Sequence, residues 1–193
     1  MPDEKKPRIE ALETVAESAL FRIEAMDLTF SNGNTRRFER LRGRGKGAGA
    51  VMIVALSDPE HVLLVREYAA GIDEYALGLP KGVIDQGEDV LTAANRELKE
   101  ECGFGAHVLE QLTELSLAPN YMSHRIQVVL AQELYEERLD GDEPEPLETV
   151  RVRLDELGEL LTRADVHEGR SIAALFMARE YLRAREENDA SWW

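Results

Sequence analysis

Apolar residues at Val90, Leu91, Ala94, Leu98 and Cys102 follow the i, i+4, i+8 rhythm of an amphipathic helix with one buried stripe. That rhythm predicts a helix over residues 89–102, ending at Gly103 in a left-handed cap. Around it the pattern shortens. Residues 50–56 and 62–67 are compact apolar runs joined by Ser57-Asp58-Pro59-Glu60, a strand–turn–strand signature. Residues 75–79 predict a short strand leading into Pro80-Lys81-Gly82. Past the helix, residues 106–117 and 126–134 predict strands around a loop at 118–124, and residues 150–154 a last short strand. Helices are expected at 155–161 and 171–185, the second carrying Ala173, Ala174, Leu175, Met177, Ala178, Tyr181 and Leu182 on broad apolar faces.

The first fifty residues are patterned differently. Positions 1–10 are charged and expected to lack fixed structure. From Leu12 apolar residues recur at short spacing until Ser31-Asn32-Gly33-Asn34, a strong hairpin signal, with a return strand at 35–41. The segment GRGKG at 43–47 is a plausible boundary. The expected division is therefore an N-terminal tail and β-hairpin segment at 1–47, a main domain at 48–187 and a frayed tail at 188–193. Mixed strands with helices to either side imply the α/β class, in an α/β/α sandwich with a mixed sheet.

Composition narrows the classes of function. At 193 residues and 44% apolar content the chain can bury one ordinary core. No stretch reaches the ~18 consecutive apolar residues of a membrane span, and the charged N-terminus carries no signal core, so a cytoplasmic location is expected. The single cysteine, Cys102, falls on the apolar stripe and is expected to be buried. A formal charge of −15 argues against non-specific nucleic-acid binding, which rests on basic surface. The basic residues are concentrated: Arg36, Arg37, Arg40, Arg42, Arg44 and Lys46 crowd together. Two readings of that cluster stand, a charged sheet edge that discourages aggregation and contacts to substrate phosphates.

The polar side of the central helix holds the chemistry. Glu97, Glu100 and Glu101 sit at i, i+3 and i+4 and rise from neighbouring points on the helix. Their mutual repulsion disfavours the bare helix, and hard divalent cations relieve it, because Mg²⁺ prefers carboxylate, water and phosphate oxygens. Arg96 cannot ligate a metal. Its expected task is a bidentate pair with Glu88 that pins the 82–87 loop to the helix. Gly82 and Gly87 are expected to let that loop fold back tightly.

Gly82, Glu88, Arg96, Glu97, Leu98, Glu100, Glu101, Gly103 and Phe104 together fit G-x5-E-x7-R-E-(apolar)-x-E-E-x-G-(apolar) at every fixed position. The segment resembles the box of the Nudix hydrolases, which cut nucleoside diphosphates linked to another group. The resemblance extends from about Leu12 to Tyr181 toward the NudE-type ADP-compounds hydrolases, through VREYAAG at 65–71, LGLPKGVIDQGE at 77–88 and GDEPEPL at 141–147. It implies Mg²⁺- or Mn²⁺-dependent hydrolysis of ADP-ribose, NADH or diadenosine triphosphate with release of AMP, using two or more ions per site. Glu97 and Glu101 become the principal metal ligands, the Lys81 carbonyl adds an oxygen, and Glu100 either joins them or acts as a base.

Catalytic bases in such relatives come from an acidic loop past the box, which makes Glu143, Glu145 and Glu148 candidates, Glu145 first. A solvated charge run is the alternative for each. Pro119 and Tyr121 stand where ADP-sugar and diadenosine-polyphosphate hydrolases respectively carry those residues. Tyr121 either stacks on a base or packs at a strand end, and Arg66, Glu67 and Arg40 are further candidates for substrate contact. The Lys81 side chain either touches a phosphate or points to solvent. The resemblance also implies a homodimer built through the N-terminal segment.

Overall fold

The computed structural model describes residues 6–45 and 47–186, so positions 1–5, Lys46 and the predicted tail at 188–193 lie outside the described residues. The described chain forms two compact units. One comprises residues 6–45 with 116–125, the other 47–115 with 126–186.

The first unit is an antiparallel three-stranded sheet in sequence order: β1 (Arg8–Glu17), β2 (Phe21–Thr29) and β3 (Thr35–Gly43). The turn expected at 31–34 joins β2 to β3, with Gly33 N–H donating to Phe30 O at 2.9 Å. Strand β1 exceeds the hairpin that the sequence predicted. All ten of its residues are exposed, so no inward alternation marks it. Its backbone ladder to β2 carries register shifts between Ile9 and Ala11 and between Thr14 and Ala16. Residues 116–125 also belong to this unit, which the predicted boundary at 47 did not foresee. Leu41 explains it: its N–H donates to Tyr121 O at 2.6 Å and its carbonyl accepts from Ser123 N–H at 3.1 Å.

The second unit is a sheet between helices. Its elements are β4 (Gly49–Asp58), β5 (His61–Ala69), β6 (Glu74–Gly78), β7 (Lys81–Ile84), α1 (Val90–Cys102), β8 (Phe104–Ser116), β9 (Arg125–Glu136), β10 (Glu148–Arg153), α2 (Leu157–Leu160) and α3 (Gly169–Glu186). The sheet order is β10-β5-β4-β9-β8, with β6 on β5 and β7 on β4. Strand β4 pairs parallel with β9 and antiparallel with β5 and β7, which makes the sheet mixed.

The apolar run in β4 has a direct physical cause: both of its faces are covered. Met52, Val54 and Leu56 pack with Leu157, Ala174 and Leu175 on one side. Val51, Ile53 and Ala55 pack with Ala94, Leu98 and Cys102 on the other. Each fully buried aliphatic side chain contributes about 1.5–3 kcal/mol, so a one-residue slip of this strand would exchange two complete sets of contacts. The predicted α/β/α sandwich is the architecture observed.

Short strand β7 escaped the sequence pattern because Pro80-Lys81-Gly82 reads as a turn. It lies beside β4 with Gly82 opposite Val51, and Ile53 N–H donates to Pro80 O at 2.8 Å. Gly82 is therefore extended strand, and the tight fold-back expected there falls farther along, near Gly87 (φ 89°). The result places the Lys81–Gly82 backbone against α1.

Candidate active site

Helix α1 is held at both ends. Asp89 caps its start, its carboxylate accepting from Leu91 and Thr92 N–H at 3.0 Å each. Gly103 ends it with φ 77°, the left-handed geometry a glycine adopts without strain. Burying Ala93, Ala94, Leu98 and Cys102 against the sheet fixes its rotation, and the carboxylates of Glu97 and Glu101 then meet β7.

Both are nearly enclosed, Glu97 at 8% exposure and Glu101 at 5%. A Cβ placed on Gly82 would overlap the Glu97 carboxylate. The glycine is thus required for close approach, and only the absence of its side chain leaves room for the acid. Glu101 Oε2 accepts from Lys81 N–H at 3.1 Å. Burial raises the Glu97 carboxyl above its ordinary range, with Arg96 opposing. Burial likewise pushes Glu101 up to about 8 against the opposing charge of Lys81.

Arg96 organises the acidic face. Its Nε and Nη2 donate to the two oxygens of Glu88 at 3.0 Å each, a bidentate fork. Nη2 also reaches Val83 O at 2.8 Å, tying the β7 segment to the helix. Nη1 donates to Glu97 Oε1 at 2.8 Å and to Glu100 Oε2 at 3.0 Å. Glu88 closes the turn from the other side, accepting from Asp85 N–H at 3.1 Å. Its carboxyl lies below the usual range because of Arg96.

Residues 137–147 cover these acids. The segment is moored where it leaves β9: Glu137 N–H donates to Gly103 O at 3.1 Å, Leu139 N–H to Lys99 O at 3.3 Å, and Lys99 Nζ meets Glu137 at 2.9 Å. Gly141 then packs on Glu100. Two adjoining cavities of about 260 and 500 Å³ share Glu97, Glu100, Asp142 and Glu143 in their walls. Glu143 is raised by burial and by the neighbouring charges of Glu67 and Asp142.

The predicted site residues separate into groups. Glu97, Glu100, Glu101, Arg96, Lys81 and Glu143 come together. Glu67 joins them, because its carboxylate pairs with Lys81 Nζ and acts on both Glu101 and Glu143. The Lys81 side chain thus bonds an acid, which neither sequence reading anticipated. Glu145, favoured as a base on sequence, accepts from the Tyr75 hydroxyl at 2.6 Å. Glu148 and Arg66 face each other across β10 and β5, and Arg66 binds Glu148 at 3.0 Å and Asp165 at 2.7 Å.

Arg40 and Tyr121 belong to the first unit. Arg40 holds the buried Glu24 at 2.7 Å, and Arg37 meets Glu13 and Asp27. Arg37, Arg40, Arg42 and Arg44 of the basic cluster are therefore each matched by an acid of their own sheet. Tyr121 is 69% exposed. Sequence reasoning missed Asp142 and Tyr75. The DGDEPEP text signalled the first only as bulk acidity, and nothing signalled the second.

The donor set suits a hard divalent cation. Glu97 and Glu101 offer carboxylate oxygens at a confined position opened by Gly82, and Glu67, Glu100, Asp142 and Glu143 stand nearby. Among the described residues, however, no three such side chains already converge as a finished shell. Arg96 offsets part of the repulsion within the cluster, its Nη1 donating to Glu97 and Glu100, while the Glu101 carboxylate accepts from Lys81 N–H.

This arrangement is that of a Nudix hydrolase, and the chain belongs to the Nudix family: residues 47–175 match the NUDIX domain. Residues 7–40 match the NudE-type Nudix hydrolase N-terminal domain. The chain is 51% identical to ADP compounds hydrolase NudE of Escherichia coli (strain K12), covering 94% of this chain and 96% of that one. It is 27% identical to an ADP-ribose pyrophosphatase of Bacillus subtilis (strain 168), over 90% and 93% of the two chains. A crystal structure of an ADP compounds hydrolase superposes with a TM-score of 0.85 at 51% identity, covering 94% and 96%.

Proposed function

We propose that this enzyme hydrolyses the pyrophosphate bond of ADP-linked compounds, ADP-ribose, NADH and diadenosine triphosphate, with AMP as a product. The observation that carries the proposal is the 51% identity to an ADP compounds hydrolase along nearly the whole chain, joined to the buried Glu97–Glu101 pair beside Gly82.

In this reading Glu97 and Glu101 are the principal ligands of Mg²⁺ or Mn²⁺, with Glu100 and the Lys81 carbonyl as further donors. Such ions, when bound, neutralise the diphosphate and stabilise the charge that grows on the entering and leaving oxygens. The residues themselves then have separable tasks. Arg96 holds Glu97 and Glu100 in place and fixes the β7 segment through Glu88 and Val83. A carboxylate accepts the proton of the attacking water. Glu143 fits that task better than Glu145, because it lines both cavities while Glu145 is engaged by Tyr75.

The reading includes a homodimer. Strand β1 leaves Ile9, Leu12 and Val15 between 44% and 54% exposed. A second copy of the chain would cover them.

The test is direct: purified protein with ADP-ribose and Mg²⁺ should yield AMP and ribose 5-phosphate, and EDTA should stop it. Intact ADP-ribose after prolonged incubation, with NADH and diadenosine triphosphate equally untouched, would overturn the proposal.

A further inference from the structure

Tyr75 lies outside the box and outside the acidic loop, yet it holds that loop. Between Gly141, which packs on Glu100, and Leu147, which packs into the α1 side of the core, residues 142–146 arch over the carboxylates. Within that arch Glu145 stands between Pro144 and Pro146, whose rings stiffen the backbone on either side. The Glu145 carboxylate accepts from the Tyr75 hydroxyl at 2.6 Å, a short charge-assisted bond between β6 and the middle of the arch.

Tyr75 is itself braced. It is the register partner of Tyr68 on β5, the two rings meet edge to face with centroids 5.5 Å apart, and the Tyr68 hydroxyl bonds to Asp73 in the β5–β6 turn. Two residues before Glu145 stands Glu143, in both cavities beside Glu97 and Glu100. A stiff Pro-Glu-Pro segment fastened at its glutamate leaves little freedom to the residue just before it.

We infer that Tyr75 is a positioning residue: by anchoring Glu145 it fixes the 142–146 arch and so holds Glu143 over the α1 carboxylates. The inference rests on the function proposed above. It separates the two loop glutamates by task, with Glu145 as the fastening and Glu143 as the group that works on the reaction. Tyr75 touches no substrate in this scheme, so its loss slows turnover with little effect on substrate affinity.

Two readouts test it. In steady-state hydrolysis of ADP-ribose with Mg²⁺, Tyr75→Phe and Glu145→Ala should each lower kcat about tenfold with KM changed less than about twofold. Their combination should be no slower than either alone, because both remove one contact. Glu143→Gln should be far slower than any of them. Independently of activity, an Asp-specific protease should cut before Asp140 or Asp142 faster in Tyr75→Phe than in the wild type, while the packed core stays uncut. Full kcat in Tyr75→Phe, multiplied effects in the double variant, or unchanged cleavage of the arch would each overturn the inference. A wild-type protein inactive on all three substrates would remove the proposed function instead, and the cleavage comparison would still judge the anchor.

Discussion

Removing Arg96 should do more damage to folding than removing any other polar side chain of the site. The guanidinium makes five hydrogen bonds: two to Glu88, one each to Glu97 and Glu100, and one to Val83 O. Its side chain is 25% exposed, and those of Glu88 and Glu97 are 12% and 11%, so solvent screens these pairs weakly. Arg96→Ala leaves two largely buried carboxylates without their cation, a change that costs about 3–5 kcal/mol. For a chain of this size each kcal/mol moves Tm by ~2–4 °C, so the metal-free variant should melt roughly 6–20 °C lower. Arg96→Lys keeps the charge and loses the planar fork, so it should recover only part of the deficit. Urea denaturation of metal-free protein at pH 7 measures both. A loss below about 1 kcal/mol for Arg96→Ala, or full recovery by lysine, would refute the reasoning, since either result means that the fork does not organise the site.

Other consequences are sharper in activity or in pH. Glu101→Gln should reduce turnover at least ~10³-fold with the fold intact; near-normal turnover would take Glu101 out of the mechanism. Because burial pushes the Glu101 carboxyl up to about 8, its contribution to the stability of metal-free protein is full below the ordinary carboxylate range and is lost as pH rises through 8. The urea midpoint of metal-free protein should therefore fall from pH 5 to pH 9, and Glu101→Gln should flatten the fall; equal slopes would contradict it. Gly82→Ala puts a methyl group into the Glu97 carboxylate, so it should cost about 1–3 kcal/mol by overpacking and depress kcat by displacing that acid. Wild-type kcat in this variant would show that the close approach is dispensable. Cys102, buried and pushed up to about 12, should resist a thiol reagent in the native protein at pH 8 and react in urea; prompt native labelling would contradict its placement.

Periodicity marked the elements whose burial is lopsided or complete. The stripe of α1 and the two-faced run in β4 are core positions, so their hydrophobicity is visible residue by residue. Elements held mainly by backbone pairing left no such trace. Strand β1 is exposed throughout, and β7 is four residues long with proline and glycine around it. In the site, the spacing of Glu97, Glu100 and Glu101 was legible because the helix turns at a known rate. The Arg96–Glu88 partnership followed from complementary charge a short distance away. Glu67 and Tyr75 were not legible in their actual roles. Glu67 on β5 meets Lys81 only once β7 lies nearby, and Tyr75 on β6 meets Glu145 only once the 137–147 segment, 70 residues on, has been brought over it. The different surroundings of Glu143 and Glu145, on which their proposed division of labour rests, were equally invisible, since two glutamates in one acidic run look alike in sequence.

The most direct test is a crystal of the full chain grown with Mn²⁺ and an ADP-ribose analogue bearing a methylene bridge between its phosphorus atoms. The account predicts anomalous peaks between the carboxylate oxygens of Glu97 and Glu101, in contact with the diphosphate oxygens. Manganese bound elsewhere, with those two side chains still buried against Gly82 and Lys81 and the diphosphate remote from α1, would contradict it.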